Sequence, residues 1–249
     1  MAWLIKYRRG LAGTLLLALV VSQIPARTLQ GLLPDNVSLS GLSGTIWSGQ
    51  AVRAWTMIDE RPLMLGAVQW RIKPWRLGWS TPLTVTSEWG DQILRGRIGL
   101  GLTGQWVLRD ISLNVDTQIL RAFFPLYLGG TLSGRFDRIE IEDDNLVQAR
   151  GMVSLHAGIW TASGGSIPLG NYRIDVMGDR ASSNGVQAVV HTDNGALLLA
   201  GEANLVARAY EVSLRASGPM AKDERFRRAV SLFAAPTPEG FDILVQGQL

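Results

Sequence analysis

From residue 37 onward apolar and polar residues alternate with period two, in short runs broken by glycine and turn-forming residues. The runs are Leu63–Ile72, Leu83–Trp89, Ile93–Leu102, Gln105–Val115, Leu132–Ile141, Leu146–Leu155, Leu169–Val176, Val186–His191, Ala196–Val206, Tyr210–Ala216 and Phe241–Val245. Period two sends successive side chains to opposite faces of a strand, and turn signals about every 8–12 residues mark an all-β architecture. Two segments read as helix instead. Thr117–Phe124 has Asp116 as N-cap and Pro125 as its stop. Lys222–Phe233 opens with Asp223 and Glu224, places Phe226, Val230 and Phe233 on one face, and stops before Pro236.

The strands carry a weak internal echo. Leu42-Ser43-Gly44-Thr45-Ile46-Trp47, Leu102-Thr103-Gly104-Gln105-Trp106 and Leu132-Ser133-Gly134-Arg135-Phe136 share Leu, Ser/Thr, Gly and a bulky apolar residue. In the second and third copies the alternation then changes parity, at Arg109–Asp110 and at Asp137–Arg138. A parity change within one strand predicts a bulge or bend. Ile98–Leu102 and Ala196–Ala200 are apolar on nearly every residue. Such strands predict a single curved, mostly antiparallel sheet, an open groove or a flattened barrel, flanked by the two short helices. Its apolar interior is expected to be filled mainly by its own side chains, with bound lipid as the lesser alternative.

The first thirty residues follow a different rule. Lys6, Arg8 and Arg9 precede an uncharged run from Leu11 to Ile24 that includes Leu15, Leu16, Leu17, Leu19, Val20 and Val21. A basic segment ahead of an apolar one is a signal peptide or a signal anchor, with the basic end held in the cytoplasm. The run of 14 residues spans roughly 21 Å as a helix, against a hydrocarbon core of about 30 Å. Val20 and Ser22 offer a passable cleavage site, but no Ala-x-Ala pattern is present. The favoured division is a cytoplasmic segment 1–10, an uncleaved anchor 11–29 and a β domain 30–249.

Composition narrows the chemistry. The 249 residues are 47% hydrophobic and contain 28 glycines, no cysteine and two histidines, His156 and His191. Disulfides, thiol catalysis and cysteine metal sites are thereby excluded. The net charge is +3, from 24 basic and 21 acidic residues, so Lys6, Arg8 and Arg9 account for the whole excess. No basic stripe emerges along the remainder, and nucleic acid is not an expected partner. Seven of the nine tryptophans fall between Trp47 and Trp106, a density that suits either core packing or a half-wet membrane or partner surface.

Catalytic motifs fail one by one. Gly99-Leu100-Gly101-Leu102-Thr103-Gly104 has dinucleotide-fingerprint spacing, but that chemistry needs a helix to follow, and here strand patterns flank it on both sides. No G-x-S-x-G elbow, phosphate-loop lysine motif or HExxH pair occurs. Glu140, Glu142, Asp143 and Asp144 read as a solvated strand edge followed by an Asp-Asp-Asn turn, without EF-hand spacing. No metal or cofactor is expected, and no enzyme.

Four blocks in order give a family resemblance. Gly41–Ala51 contains Gly44, Trp47 and Gly49; a W-x-x-x-P-x-x-L block is formed by Trp70, Pro74 and Leu77; Leu169–Asp175 follows; and Ala229, Leu232, Phe233, Pro236, Gly240, Phe241 and Gly247 close the chain. This succession resembles the type II secretion system protein N family over nearly the whole length. The resemblance implies a single-pass inner-membrane protein with a periplasmic β domain. Its role would be to assist export of folded proteins across the outer membrane alongside the other secretion subunits of the inner-membrane platform. It carries no catalytic residues. The same pattern is distantly similar to groove-shaped β repeats that handle lipids in the periplasm, so a lipid-binding or lipid-transfer groove is the alternative.

Overall fold

The computed structural model describes residues 13, 15–31, 33–58, 61–76, 81–101, 103–118, 128–162, 165–180, 185–230 and 234–248. Leu11, Leu77 and the first expected helix beyond Gln118 lie outside these residues. The strands are β1 (Val37–Ser40), β2 (Ser43–Gly44), β3 (Ser48–Ile58), β4 (Arg61–Ile72), β5 (Leu83–Trp89), β6 (Gln92–Leu100), β7 (Trp106–Asp116), β8 (Leu128–Glu142), β9 (Asn145–Ala162), β10 (Gly165–Gly178), β11 (Val186–Asn194), β12 (Leu198–Val206), β13 (Ala209–Ser217), β14 (Ala234–Pro236) and β15 (Gly240–Gln248). They form one open sheet in the order β1-β3-β4-β5-β6-β7-β8-β9-β10-β11-β12-β13-β15-β14, with β2 paired to β3. Every pairing is antiparallel. Of the two forms expected, the sheet is the open one.

The parity changes are bulges. Arg95 pairs with Ser112 and Arg97 with Arg109, so Asp110 and Ile111 of β7 stand opposite Gly96 alone. Asp110 takes a positive φ of 48° to accommodate the extra residue. One strand further, Phe136 pairs with Gly151 and Arg138 with Arg150, which leaves Asp137 unmatched. Arg109 faces Arg138 across β7 and β8, so the two bulges adjoin. The echo has a partial structural meaning: Gly44 and Gly104 are both left-handed at φ 88° in turn-rich segments ahead of β3 and β7. Gly134, the third copy, lies inside β8.

Two small cores anchor the ends of the strand order. The first joins Ala26, Ala51 and Trp70 with Leu29, Leu39, Leu42, Ile72 and Leu83; it lies where a 3-10 turn, Ala26–Gly31, packs on β1–β5. The second joins Ile167, Leu169, Tyr172, Leu197, Ala216, Ala221, Phe226 and Phe241. There a 3-10 turn, Pro219–Lys222, and a helix, Glu224–Val230, lie across β10, β13 and β15. The helix begins two residues after the expected Lys222, which belongs to the 3-10 turn; residues 231–233 of the expected helix lie outside the described residues. Asp223 is its cap, accepting from the Arg225 backbone N–H at 2.8 Å. Ala234–Pro236 belongs to β14 because its backbone pairs with β15, and a sheet ladder competes directly with further helical turns for the same N–H and C=O groups. The first expected helix keeps its cap, since Asp116 Oδ1 accepts from Gln118 N–H at 2.7 Å.

Tyr172 ties the second core together. Its hydroxyl lies 3.0 Å from the Leu169 carbonyl and 2.9 Å from the Leu197 carbonyl. Burial pushes the phenol up from 10.0 to about 12. A raised phenol pKa means that the unfolded chain ionises first. Stability is therefore fully present below about pH 10 and falls as pH rises toward about 12, by up to about 1.4 kcal/mol per pH unit. Tyr172→Phe should cost about 1 kcal/mol at neutral pH through the lost hydrogen bond and flatten that alkaline decline. Urea midpoints across the alkaline range check it. An equally steep decline in the variant would assign the pH dependence elsewhere.

Candidate functional site

The signature residues meet at the junction between the N-terminal helix and the sheet. Residues 15–22 are helical, and Leu15, Leu16, Leu17, Leu19, Val20 and Val21 are all exposed. Six such residues in nearly two turns cannot share one face, so the helix is apolar all round. The last carbonyls of a helix lack intrahelical partners, and here the loop ahead of β3 meets one of them, at Val21, and the carbonyl of Ile24 just beyond the helix. Trp47 Nε1 donates to Val21 O at 2.8 Å, and Ile46 N donates to Ile24 O at 3.0 Å. Pro25 forms an isolated bridge with Thr45. Among the described residues no helix is long and apolar enough to cross a membrane.

Trp70 locks the same loop from beneath. Its Nε1 donates to Thr45 O at 3.3 Å and Ile46 O at 3.1 Å, and Ile72 N donates to Trp47 O at 2.6 Å. The glycines make room for this crossing. A Cβ on Gly49 would lie 2.5 Å from Trp70 Cζ2 and 2.6 Å from Ser43 O; on Gly44, at φ +88°, it would lie 2.5 Å from Ser48 O. Gly44, Trp47, Gly49 and Trp70 are thus brought together, and Pro74 opens the 3-10 turn Pro74–Arg76 that follows β4.

Strand pairing sorts the side chains into two unlike faces. One cross-strand row reads Trp70, Val85, Gly96 on β4–β6, then Ile111, Phe136, Gly151, Val176, Ala188, Ala203, Val212 and Val245 on β7–β13 and β15. Its neighbour reads Ile72, Leu83, Ile98, Leu108, Ile139, Ala149, Gly178, Val186, Leu205, Tyr210 and Gly247. Both cores lie on this apolar face, over its two ends. Between them Met64, Trp89 and Leu94 are exposed, beside a cavity of about 190 Å³ lined also by Leu113, Val115 and Leu132.

The opposite face is polar, and strand register overturns the expectation of no basic stripe. Arg71, Thr84, Arg97, Arg109, Arg138 and Arg150 form one row from β4 to β9. Arg97 pairs with Asp110 and Arg138 with Glu140; Arg71, Arg109 and Arg150 form no ion pair among the described residues. The acidic cluster also differs from its expectation. Asp143 and Asp144 form the tight turn, both with positive φ, but Glu140 is only 2% exposed. Arg138 Nε holds it at 2.6 Å, and Arg180 reaches it at 3.8 Å and Glu142 at 2.6 Å. A buried carboxylate is tolerable only with such partners.

Neither histidine has catalytic company. His156 Nε2 lies 3.2 Å from Ser133 Oγ in a groove of about 490 Å³ that also holds Arg95, Arg135 and Asn114 and has no carboxylate in its lining. His191 lies 3.7 Å from Asp175, both exposed. Gly101 N donates to Gln105 O at 2.8 Å, which joins β6 directly to β7, so no helix follows the dinucleotide-like glycines. No group of ligands suited to a metal ion occurs among the described residues.

No solved structure matches the chain. A type II secretion system protein N from Aeromonas hydrophila is 30% identical over 176 residues, covering 68% of this chain and 66% of that relative. The aligned part thus spans just under two thirds of the relative's own length. The family description "Type II secretion system (T2SS), protein N" matches residues 35–243, from the start of the sheet into β15. The chain belongs to the type II secretion system protein N family.

Proposed function

We propose that this protein is a non-enzymatic component of a type II secretion machine. The apolar helix that ends at Ser22 holds it in the inner membrane and residues 1–10 stay in the cytoplasm. Because Ala26 and Leu29 pack in the first core, the expected anchor 11–29 is cut back to residues 11–23, and the rest of the chain forms a periplasmic domain that assists export of folded proteins across the outer membrane. The observation that carries this reading is the junction: the family-signature residues hold the end of an apolar helix that follows a basic segment. Its partners are the other secretion subunits of the inner-membrane platform. The test is membrane fractionation with alkaline carbonate extraction, a periplasm-dependent reporter after Leu249, and crosslinking in cells. Retention in the inner membrane, an active reporter and crosslinks to platform subunits are expected. A carbonate-soluble chain with an inactive reporter would overturn the topology; an intact, anchored chain with no crosslink to any secretion subunit would overturn the partner assignment.

A second reading concerns what covers the apolar face. The uncovered stretch between the two cores favours acyl chains lying across Leu94, Leu113 and Leu132. Native mass spectrometry of the protein in detergent tests it. Reproducible phospholipid adducts, lost in Leu113→Glu, support a lipid-holding sheet, and a ligand-free protein that takes up no fluorescent lipid rejects one.

A further inference from the structure

The sheet end from which the N-terminal helix departs differs chemically from the opposite end of the same strands. Strand direction decides which residues gather there. β3 begins at this end, β4 finishes, β5 begins, β6 finishes and β7 begins. The helix is tied to the loop just ahead of β3 through the Trp47–Val21 and Ile46–Ile24 hydrogen bonds. Segments 71–84 and 97–106, which supply this end of β4–β7, contain Arg71, Lys73, Arg76 and Arg97 and no aspartate or glutamate, although Arg97 pairs with Asp110 and the neighbouring β8–β9 turn brings Glu142 to 3.5 Å from Thr103 Oγ1. The opposite end of these strands carries Glu88, Asp91 and Asp116 against Arg61. The basic excess of this end is therefore local to Arg71, Lys73 and Arg76, at the end of β4 and in the turn that follows it.

The same end exposes large apolar side chains. Trp75, in the turn after β4, is 75% exposed; Leu100 and Trp106, flanking the β6–β7 turn, are 56% and 53% exposed. Leu100 and Trp106 are cross-strand partners, on the parity of Ile98 and Leu108, so they extend the apolar face to its rim. Ordinary core packing does not explain them, since a core tryptophan is covered, as Trp70 is at 8%. Indole rings and long cationic side chains together suit the interface of a bilayer, where rings sit among headgroups and cations face anionic phosphates, and the apolar helix leaving from the same end favours that setting over a protein partner.

We infer that this rim lies on the surface of an anionic phospholipid bilayer, with Trp75, Leu100 and Trp106 at headgroup depth and Arg71, Lys73 and Arg76 against the phosphates. The inference rests on the proposed anchor, because the apolar helix leaves from the same end and would bring the rim to the membrane. It adds that the sheet stands on the bilayer by a built contact, its apolar face opening at the lipid.

The test uses the full-length protein in vesicles of phosphatidylcholine with or without phosphatidylglycerol, a fraction of the lipid carrying brominated acyl chains that quench tryptophan. Trp75→Phe/Trp106→Phe should lose a quenched component present in the parent, and Lys73→Glu/Arg76→Glu should remove the extra quenching that phosphatidylglycerol brings. Each cation near an anionic leaflet strengthens attraction about five-fold, so the charge effect should fade in high salt. All these side chains except Lys73 are exposed, so melting temperatures should match the parent. Equal quenching of parent and tryptophan variant, with the protein still carbonate-resistant, overturns the rim and leaves the anchor standing. A protein washed out by carbonate fails the anchor reading separately. Unquenched tryptophans together with poly-glutamate binding that is lost in Lys73→Glu/Arg76→Glu would assign the rim to an acidic protein segment and overturn the lipid contact.

Discussion

Trp70→Ala should lower the stability of the protein by about 3–5 kcal/mol, the cost of emptying a buried tryptophan site. The indole is 8% exposed and packs with Ala26 and Ala51, so its removal empties the centre of the first core. It also withdraws the N–H shared by Thr45 O and Ile46 O, and those carbonyls belong to the loop that receives the N-terminal helix. The variant should therefore lose the helix junction along with the core. Trp70→Phe separates the two effects: it keeps most of the buried ring and loses only the donor, at about 1–2 kcal/mol. Urea denaturation measures both. A Trp70→Ala midpoint within error of the parent would mean that the strand ends at this junction are held by something other than the tryptophan.

The second large effect is expected at Phe226. This residue is buried in the C-terminal helix, 8% exposed, and it stands edge-on between two rings. Trp160 is 5.9 Å away at 87° and Phe241 is 6.3 Å away at 66°. Such pairs add about 0.5–1.5 kcal/mol each beyond burial, so Phe226→Ala should cost about 3–5 kcal/mol in all. A seven-residue helix has too few turns to persist in water without its docking face. Releasing it would uncover Ile167, Tyr172 and Phe241, and an apolar dye should then bind the native protein more strongly. Unchanged stability with unchanged dye binding would show that the helix does not cover the sheet.

Features set by neighbouring residues were legible in the sequence. The strands follow from period two, and the bulges at Asp110 and Asp137 from parity changes within single strands. The Asp143-Asp144 turn and the Asp116 cap follow from local chemistry in the same way. Features set by register were hidden. Arg71, Arg97, Arg109, Arg138 and Arg150 stand on different strands and become a row only after each strand has chosen its partner. Glu140 is buried because Arg180, on a distant connection, reaches back over it. Resemblance marked Gly44, Trp47, Gly49 and Trp70 as belonging together. Only the geometry shows that Trp47 satisfies a helix carbonyl and that both glycines clear the path of Trp70. The strand at Ala234–Pro236 was hidden because it has no local signal; its partner, β15, comes later in the chain.

The strand order has a consequence for how the molecule is built. From β3 to β13 every strand pairs with its immediate predecessor, so each new segment of a chain emerging N-terminus first finds its template already made. Contacts of short sequence separation favour fast folding, and a structure that grows by nearest neighbours can add units one at a time. A growing sheet also always presents a raw edge to other chains. The two terminal strands blunt it: β1 has four residues and β14 three, ending in Pro236, which has no N–H to offer. Because β15 lies between β13 and β14, β14 is the one strand of this end whose template is made after it, so the blunt edge is completed only when the last strand of the chain is in place.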